Sequence, residues 1–277
     1  MTASDKDSQQ AAAPDSNSFA RSAESFVPHL GWLRHDPDEE LVTLLNQGWF
    51  EYREMAFLWL YLRDGDVMID CGAHIGLYAR LASRILGDKG KLLAIEPNPE
   101  VLGFLKQNLS DTAAPTVEVR QTALYRKAGE MNLYLGHKGL SGYSSLVNAG
   151  VSDLSVTVPV TTLDLLLEDT GLTHIDFMKI DVEGPEIDVL AGAENSIARG
   201  ALPLVQVEFT ELNLRAVGKS TEVLKIAFEA KGYRCYRFND ETLALEPYKF
   251  DGPVWYEHLY AVMGDVAAMG QRLASAP

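Results

Sequence analysis

The sequence predicts an α/β fold in which a mainly parallel sheet carries helices on both faces. From Val67 onwards, short apolar runs alternate with helix-like segments, which is the βαβα rhythm of parallel sheets. The first run, V-M-I-D, passes directly into the turn C-G-A-H-I-G at residues 71–76, and a glycine-containing turn between a strand and a helix commonly receives a ligand. The chain has 277 residues, of which 47% are hydrophobic. This is enough for one large α/β domain or two small ones.

The N-terminal part of the chain differs in character. Residues 1–25 are polar and have few large apolar groups, so we expect a disordered tail. Residues 38–62 follow a helical pattern, which Gly48 divides in two, and we predict an N-terminal helical extension over 26–65. The extension is rich in aromatic residues, which we interpret as core packing or as a lid over a pocket. These aromatic residues are Trp49, Phe50, Tyr52, Phe57, Trp59 and Tyr61.

The main domain is predicted over residues 66–265, followed by a C-terminal tail at 266–277. Its strands are predicted at 67–70, 91–96, 117–123, 131–135, 156–160, 176–181, 204–209, 233–238 and 258–262. Its helices are predicted at 76–86, 99–109, 162–168, 186–198 and 221–230. Gly87 ends the first helix, and Pro99 suits the first turn of the second. Thr161 or Thr162 lies near the cap of the third.

Composition argues against several classes of partner. The net charge is −15, which argues against nucleic acid and against anionic membranes, because both are bound by neutralising negative charge. Two cysteines, Cys71 and Cys235, are too few for a disulfide scaffold or a four-thiolate zinc site. No apolar run approaches the ~20 residues of a membrane span, and the N-terminus shows no secretory signal. We therefore expect a cytoplasmic protein and leave a homodimer open.

Four predicted core strands end in a carboxylate: Asp70, Glu96, Asp181 and Glu208. The carboxyl ends of parallel strands meet at one edge of a sheet, so these acids are expected to lie close together. A single acid at a strand end is often a helix cap. Four like charges at one edge repel one another, and a cationic or hydroxyl-rich ligand would compensate them.

The first strand, turn and helix form a candidate nucleotide-binding unit. In such units the acid after the second strand, here Glu96, accepts the ribose hydroxyls. The turn D-C-G-A-H-I-G nevertheless lacks the third glycine of the dinucleotide pattern G-x-G-x-x-G, and Asp70 would repel a pyrophosphate. It would suit an ammonium or sulfonium group. This favours S-adenosylmethionine over NAD, although an NAD-dependent oxidoreductase and a catalytically silent binding protein stay as alternatives.

Four motifs together resemble the FkbM-type family of S-adenosylmethionine-dependent methyltransferases. They are V-M-I-D-C-G-A-H-I-G, A-I-E-P-N-P, V-P-V-T-T-L-D and M-K-I-D-V-E-G-P-E-I-D-V-L-A-G-A, within roughly residues 66–210. The resemblance implies a Rossmann-like class I methyltransferase fold with a seven-stranded sheet whose last strand is antiparallel. It implies a small-molecule acceptor, with O-methylation of a natural product or sugar most common. N- or carboxyl-methylation of a peptide or small molecule is the alternative.

The same resemblance implies which residues bind the methyl donor. Those at the methionine end are Asp70, Gly72, Ala73, His74 and Gly76, and those near the ribose and adenine are Glu96, Pro97, Asn98, Thr122, Ala123 and Leu124. The S-G-Y-S-S-L tract contributes Ser144 and Ser145, and Asp181 lies between donor and acceptor. Family members frequently have Asn where this chain has His74. A histidine in a tight loop can bond the backbone, contact the donor or act as a base.

We predict that Asp181, Glu183 and Glu208 are catalytic. In an extended segment Lys179, Asp181 and Glu183 point to one side, so one ion pair among them is expected, and a carboxylate there can take the proton of an acceptor hydroxyl. Asp181 as a structural acid and Glu183 as a helix-dipole partner stay open. The histidines lack metal-ligand spacing. We predict no metal, while a magnesium site of the three acids is a minor alternative.

Overall fold

The fold is built around an eight-stranded sheet in a computed structural model that describes residues 22–41, 44, 50–110, 112, 116–148 and 153–275. The sheet order is β12-β11-β13-β10-β9-β3-β4-β5. The strands are β3 (Val67–Cys71), β4 (Lys91–Ile95), β5 (Val117–Arg120), β9 (Phe177–Ile180), β10 (Leu204–Phe209), β11 (Arg234–Asn239), β12 (Ala244–Pro247) and β13 (Glu257–Val262). The first five run parallel, and β13 lies antiparallel between β10 and β11. The predicted class I sheet with an antiparallel last strand is confirmed, with β12 as an additional edge strand.

Helices cover both faces of this sheet. They are α1 (Tyr52–Tyr61), α2 (Leu77–Ile85), α3 (Pro99–Leu109), α4 (Leu163–Thr170), α5 (Glu186–Ala191), α6 (Glu194–Ala198), α7 (Glu211–Ala216), α8 (Thr221–Ala230) and α9 (Val266–Ala274). One core cluster includes buried residues of α1, α2, α3 and α9, and the other includes those of α4 to α8. Every residue of β9 and β10 is buried, as expected for central strands of a parallel sheet covered on both sides.

A second, three-stranded sheet contains β6 (Ala123–Leu124), β7 (Gly129–Tyr134) and β8 (Ser155–Thr161) in the order β6-β8-β7. A β-bridge between Tyr134 and Ser145 holds the S-G-Y-S-S-L tract at residues 141–146, the serine-rich tract, against this sheet. The predicted strand 117–123 is therefore wrong at its end. The chain leaves the main sheet after Arg120, and Ala123 begins β6 in the smaller sheet.

The N-terminal extension is not helical throughout. Strands β1 (Ala23–Val27) and β2 (Gly31–His35) form an antiparallel hairpin. The side chain of Asn108 on α3 holds the hairpin: its Oδ1 accepts from Arg34 N at 2.7 Å, and its Nδ2 donates to Arg34 O at 2.9 Å. The tail predicted over 1–25 is thus wrong for residues 23–25, which belong to β1, and residues 1–21 lie outside the described residues. Gly48 and Trp49 lie outside them too.

Two other boundaries differ from the prediction, and two elements were not predicted. The single helix predicted over 186–198 is two short helices, α5 and α6, because the chain turns at Gly192 and Ala193. The predicted tail at 266–277 contains α9, whose buried Met269 and Leu273 belong to the same core cluster as α1. Neither β12 nor α7 was predicted. In the described part of the chain, no helix is long and apolar enough to cross a lipid bilayer.

Candidate active site

A cavity of about 390 Å³ opens at the carboxyl ends of the parallel strands, within the size range of small-molecule sites. The four strand-end acids predicted to converge, Asp70, Glu96, Asp181 and Glu208, all line it. The serine-rich tract S-G-Y-S-S-L and the segment before α1 contribute further walls. The strand direction therefore brings together side chains that are far apart in the sequence.

The turn after β3 requires glycine at residue 72. Gly72 has φ +86, and a Cβ there would lie 1.8 Å from the backbone oxygen of Asp181. Residues 72 and 73 both donate their N–H to Ile95 O at 3.0 Å. The turn is thus pressed between the ends of β4 and β9, and a ligand can approach its backbone closely.

Glu96 fixes the loops on either side of it. Its Oε2 accepts from His74 N and its Oε1 accepts from Asn98 N, both at 2.8 Å. The Asn98 side chain caps α3 and also donates to Ser144 Oγ at 3.1 Å. Burial raises the pKa of Glu96 to about 7, although these two backbone N–H groups oppose the rise. Each carboxylate oxygen keeps a lone pair for a further donor.

Asp70 is buried and lines the cavity, yet neither of its carboxylate oxygens has a hydrogen-bond partner among the residues that the structure describes. Burial raises its pKa to about 6, and the nearby charge of Lys179 limits the rise. Buried carboxylates are normally hydrogen-bonded. An unpartnered carboxylate beside a glycine turn suits a ligand that brings its own cationic group and N–H donors, such as the methionine part of S-adenosylmethionine.

His74 lies in the left-handed region, with φ +50. Its Nε2 is 2.6 Å from Ser141 Oγ, and that hydroxyl donates to Glu39 Oε2 at 2.6 Å. The ring therefore contacts a side chain rather than the backbone. Burial lowers the pKa of His74 to about 4, so the imidazole is neutral near pH 7 and adds no positive charge to the cavity.

Three acids form a cluster on the acceptor side of the cavity. The ligand oxygens of Asp181, Glu183 and Glu208 lie within 4.8 Å of one another. Lys179 Nζ donates to Asp181 Oδ2 at 2.6 Å, which is the expected ion pair. Burial acts against ionisation of Asp181, but the Lys179 ammonium and then His258 hold the pKa of Asp181 below its usual value. Asp181 is accordingly the ionised member of the cluster.

The other two members are held closer to their neutral form. Burial and then the charge of Glu208 raise the pKa of Glu183, while burial and then the charge of Asp181 raise that of Glu208. Glu208 is 7% exposed, and its carboxyl group has no hydrogen bond or ion pair to any described residue. An acid with a raised pKa and a free oxygen suits proton transfer with a bound hydroxyl.

Glu183 does not continue the strand, so the predicted extended geometry is wrong at this position. Its φ is +59, and the residue turns the chain ahead of α5. Asn213 Nδ2 on α7 donates to Glu183 Oε2 at 2.5 Å, and Ser145 Oγ donates to Glu183 O at 2.8 Å. The first turn of α5 carries Glu186 rather than Glu183. Asn213 on α7 therefore orients the carboxyl group of Glu183, and Glu183 lines the cavity.

The match to known proteins decides the family. The model of the methyltransferase FkbM domain matches residues 70–235, which contain the glycine turn and all three clustered acids. The chain belongs to the FkbM methyltransferase family. Membership assigns S-adenosylmethionine-dependent methyl transfer to this domain and confirms the resemblance inferred from the four motifs.

Relatives of this FkbM domain include named methyltransferases. Hexuronic acid methyltransferase AglP of Haloferax volcanii is 29% identical over 61% of this chain and 64% of its own length. Methyltransferase sdnD of Sordaria araneosa is 31% identical over 48% of this chain and 62% of its own length. The chain thus spans less than two thirds of each of these relatives. Among solved structures, precorrin-6y C5,15-methyltransferase of Geobacter metallireducens is 18% identical, with a TM-score of 0.43 over 77% of this chain and 88% of that one.

Most residues predicted to contact the donor line the cavity of the FkbM domain. In addition to the residues described above, these are Ala73, Pro97, Ala123, Leu124, Ser144 and Ser145. Gly76, Asn98 and Thr122 are not lining residues. Gly76 is the N-cap of α2, Asn98 caps α3, and Thr122 Oγ1 donates to Pro159 O at 3.0 Å. These three support neighbouring loops instead.

The N-terminal aromatic residues serve more than one purpose. Phe57 and Tyr61 are buried and stacked in the core, with ring centroids 5.4 Å apart. Tyr52 and Trp59 are exposed. Phe50 lines the cavity. Core packing therefore accounts for part of the set, and the segment before α1 forms a wall of the site.

Several residues of the site carried no motif. Glu51 and Tyr256 line the cavity and meet at His258 on β13, whose Nε2 is 3.4 Å from Glu51 Oε1 and 3.0 Å from the Tyr256 hydroxyl. Asn213 also lines it. The position of Asn213 shortly after a strand predicted to end at the ligand edge was the one available signal.

Proposed function

We propose that the protein transfers the methyl group of S-adenosylmethionine to a hydroxyl oxygen of a small molecule, a natural product or a sugar. The observation that carries this proposal is Glu208, a buried acid with a raised pKa whose carboxyl group has no partner among the described residues, within a cluster beside the donor turn. Proton removal from a hydroxyl needs such a group, whereas an amine acceptor can lose its proton after transfer.

The donor end of the site is assigned by the fit of the residues present. Asp70 would face the ammonium group, and Glu96 would accept the ribose hydroxyls while it holds the two flanking backbone N–H groups. The close-packed turn at Gly72 would let the donor lie against the backbone. When bound, S-adenosylmethionine supplies a methyl carbon that is electrophilic because it is attached to a sulfonium.

The acceptor end supplies the base. With S-adenosylmethionine bound, its sulfonium would supply the methyl group to the acceptor oxygen and keep the electron pair of the broken carbon–sulfur bond. The ionised form of Glu208 would take the proton of the acceptor hydroxyl. Glu183 would orient the same hydroxyl by a hydrogen bond, because Asn213 holds the carboxyl group of Glu183 in place. The ion pair with Lys179 keeps Asp181 ionised and makes it a weak base, so its role is to hold charge near the reacting centre.

We also propose the type of substrate and the cellular compartment of this reaction. The net charge of −15 supports an enzyme that acts on small molecules rather than on nucleic acid or membranes. We place it in the cytoplasm. N- or carboxyl-methylation is the second candidate for the FkbM domain, and the unpartnered base at Glu208 favours O-methylation over it.

A screen with purified protein and labelled donor tests the proposal. Hydroxylated sugars and natural products are incubated with S-adenosylmethionine, and products are read by the mass of one added methyl group. With an acceptor found, Glu208→Gln should lower the single-turnover rate by roughly 100- to 10,000-fold, while the donor Kd by calorimetry stays within about fivefold. Glu222→Gln, an exposed acid on α8, is the matched control.

The outcomes separate the roles of the three acids. If Asp181→Asn or Glu183→Gln lowers the rate of methyl transfer while Glu208→Gln keeps the wild-type rate, the base is the residue changed in the slow variant. Loss of activity on addition of a chelator would show that the cluster binds a metal. Methylation found only on nitrogen or carboxylate acceptors would contradict O-methylation.

A further inference from the structure

Two of the aromatic side chains that line the cavity are exposed to solvent. Tyr143, in the helical turn 141–143, is 52% exposed, and Tyr256, before β13, is 56% exposed. Both line the cavity, as does Leu212, which is 71% exposed. The Tyr256 hydroxyl is 3.0 Å from His258 Nε2, so the ring is anchored at its polar end. Apolar ring faces left at the entrance of a polar pocket offer a packing surface to a ligand.

Below these rings the cavity offers oxygen atoms in both protonation states. Asp181 is ionised through its ion pair, while the pKa values of Glu183 and Glu208 are raised by burial and neighbouring charge. A carboxylate accepts hydrogen bonds, and a neutral carboxyl also donates one. Adjacent hydroxyls of a polyol both donate and accept, so they match this set.

The cavity holds no free positive charge for an anionic ligand among its described lining residues. Of the residues that the structure describes, Lys179 is the only Lys or Arg that lines it, and eight carboxyl-bearing residues do. The Lys179 side chain is 5% exposed, is paired with Asp181, and lies over the Tyr78 ring at 4.5 Å. His74 is neutral near pH 7. A carboxylate on the acceptor would enter next to Glu208 with no free counter-ion from the described lining residues, which is unfavourable.

We infer that the acceptor is a neutral polyhydroxylated ring that packs between Tyr143 and Tyr256 with its hydroxyls on the acid cluster, and that uronic acids are rejected. This inference rests on the proposed function and narrows its acceptor class. It separates this chain from the relative AglP, whose name states a hexuronic acid substrate. In this site the acids select by charge and the two rings select by shape.

The first test compares matched acceptors with the full-length protein. Methyl glycosides of common hexoses are each paired with the methyl glycoside of the corresponding uronic acid, and methyl transfer from labelled S-adenosylmethionine is measured. We expect kcat/KM for a neutral member to exceed that of its uronic acid partner by at least about 30-fold. Equal or faster methylation of the uronic acids would overturn the inference.

Failure of the screen is informative as well. If calorimetry shows donor binding but no neutral glycoside is methylated, the acceptor class is wrong and the methyltransferase assignment stands. If the donor itself does not bind, the proposed function fails, and this inference fails with it.

The second test addresses the two rings. Tyr256→Ala should raise KM for the neutral acceptor by about tenfold, because the packing surface is lost, while the donor Kd is unchanged. Tyr256→Phe keeps the ring, so its KM should stay close to the wild-type value. Trp255→Ala is the matched control, since Trp255 is 67% exposed and is not a lining residue of the cavity. A Tyr256→Phe variant as impaired as Tyr256→Ala, or a normal KM in Tyr256→Ala, would overturn the role of the ring.

Discussion

Glu96 offers a quantitative test of the donor site. We predict that Glu96→Gln weakens S-adenosylmethionine binding by about 10- to 150-fold, because hydrogen bonds to a charged acceptor contribute about 1.5–3 kcal/mol and about 1.4 kcal/mol is tenfold in Kd. The amide cannot replace the carboxylate, since both Glu96 oxygens already accept from backbone N–H groups of His74 and Asn98 at 2.8 Å. A glutamine would place its NH₂ group against one of those donors.

The pH dependence gives this prediction a second readout. Burial raises the pKa of Glu96 to about 7, so the free protein carries a largely protonated Glu96 at about pH 6 and a largely ionised one at about pH 8. Ribose hydroxyls donate to the ionised form. Affinity for the donor should therefore rise across this interval by up to about tenfold for each pH unit below the pKa. In Glu96→Gln this contribution to the slope should disappear.

Isothermal titration calorimetry at several pH values measures both effects, and thermal unfolding reports whether the variant folds. Glu100→Gln is the matched control, because Glu100 is exposed, lies four residues further along the chain and does not line the cavity. A Kd for Glu96→Gln within about twofold of the wild-type value, with an unchanged pH slope, would refute the placement of Glu96 at the ribose.

Two further predictions concern the backbone. Gly72→Ala should abolish measurable donor binding and lower the melting temperature, because its Cβ would meet Asp181 O at 1.8 Å. Gly218→Ala, which has φ +70 but no atom within 4 Å of its Cβ, isolates the cost of φ alone, about 1–3 kcal/mol, and equal losses in the two variants would contradict the steric argument. Removal of residues 1–21 should leave the melting temperature within a few degrees because the segment is polar. Removal through Val27 deletes β1 and should lower it clearly.

The parts of the fold that followed from sequence are those whose signal is local. The strands β9 (F-M-K-I) and β10 (L-V-Q-V-E-F) are mostly apolar and wholly buried, as expected for central strands of a parallel sheet. The convergence of the four strand-end acids follows from strand direction alone. Thr162 accepts from Leu165 N as the N-cap of α4, one of the two positions predicted from the preference of threonine for that position.

The remaining parts depend on contacts between distant segments. The hairpin at residues 23–35 leaves Phe26 and Trp32 exposed on one side, and Asn108 from α3 holds it in place. The hairpin therefore depends on a distant residue, and its short sequence has no strong strand pattern of its own. Asn213 and Tyr256 reach the cavity only because α7 and the segment before β13 flank β10. Single polar residues in such positions carry no motif, and their contribution becomes visible only when the sheet order is known.

The last prediction concerns the contact between the N-terminal segment and the sheet. His258 Nε2 lies 3.4 Å from Glu51 Oε1, with side chains 3% and 10% exposed. Burial acts against the charged imidazolium, but the contact with Glu51 raises the pKa of His258 to about 9. Because the folded value exceeds the ordinary one, this contribution to the free energy of unfolding is fully present below about pH 6.5 and is lost as pH rises through about 9.

At about 1.4 kcal/mol per pKa unit, the contribution is on the order of 3 kcal/mol. Urea unfolding of the wild type and of His258→Gln at about pH 6 and pH 9.5 measures it, and the difference between the two proteins cancels groups that titrate in both. The stability gap should be large at the lower pH and small at the higher one. His174→Gln, at an exposed site 3.3 Å from Asp176, should show little gap at either pH. Glu51→Gln should lower the free energy of unfolding over the same pH window as His258→Gln. The double variant should lose less stability than the sum of the two single losses, because each single change removes the same contact. Equal gaps at both pH values, or additive losses, would show that the Glu51–His258 contact does not hold the segment on the sheet.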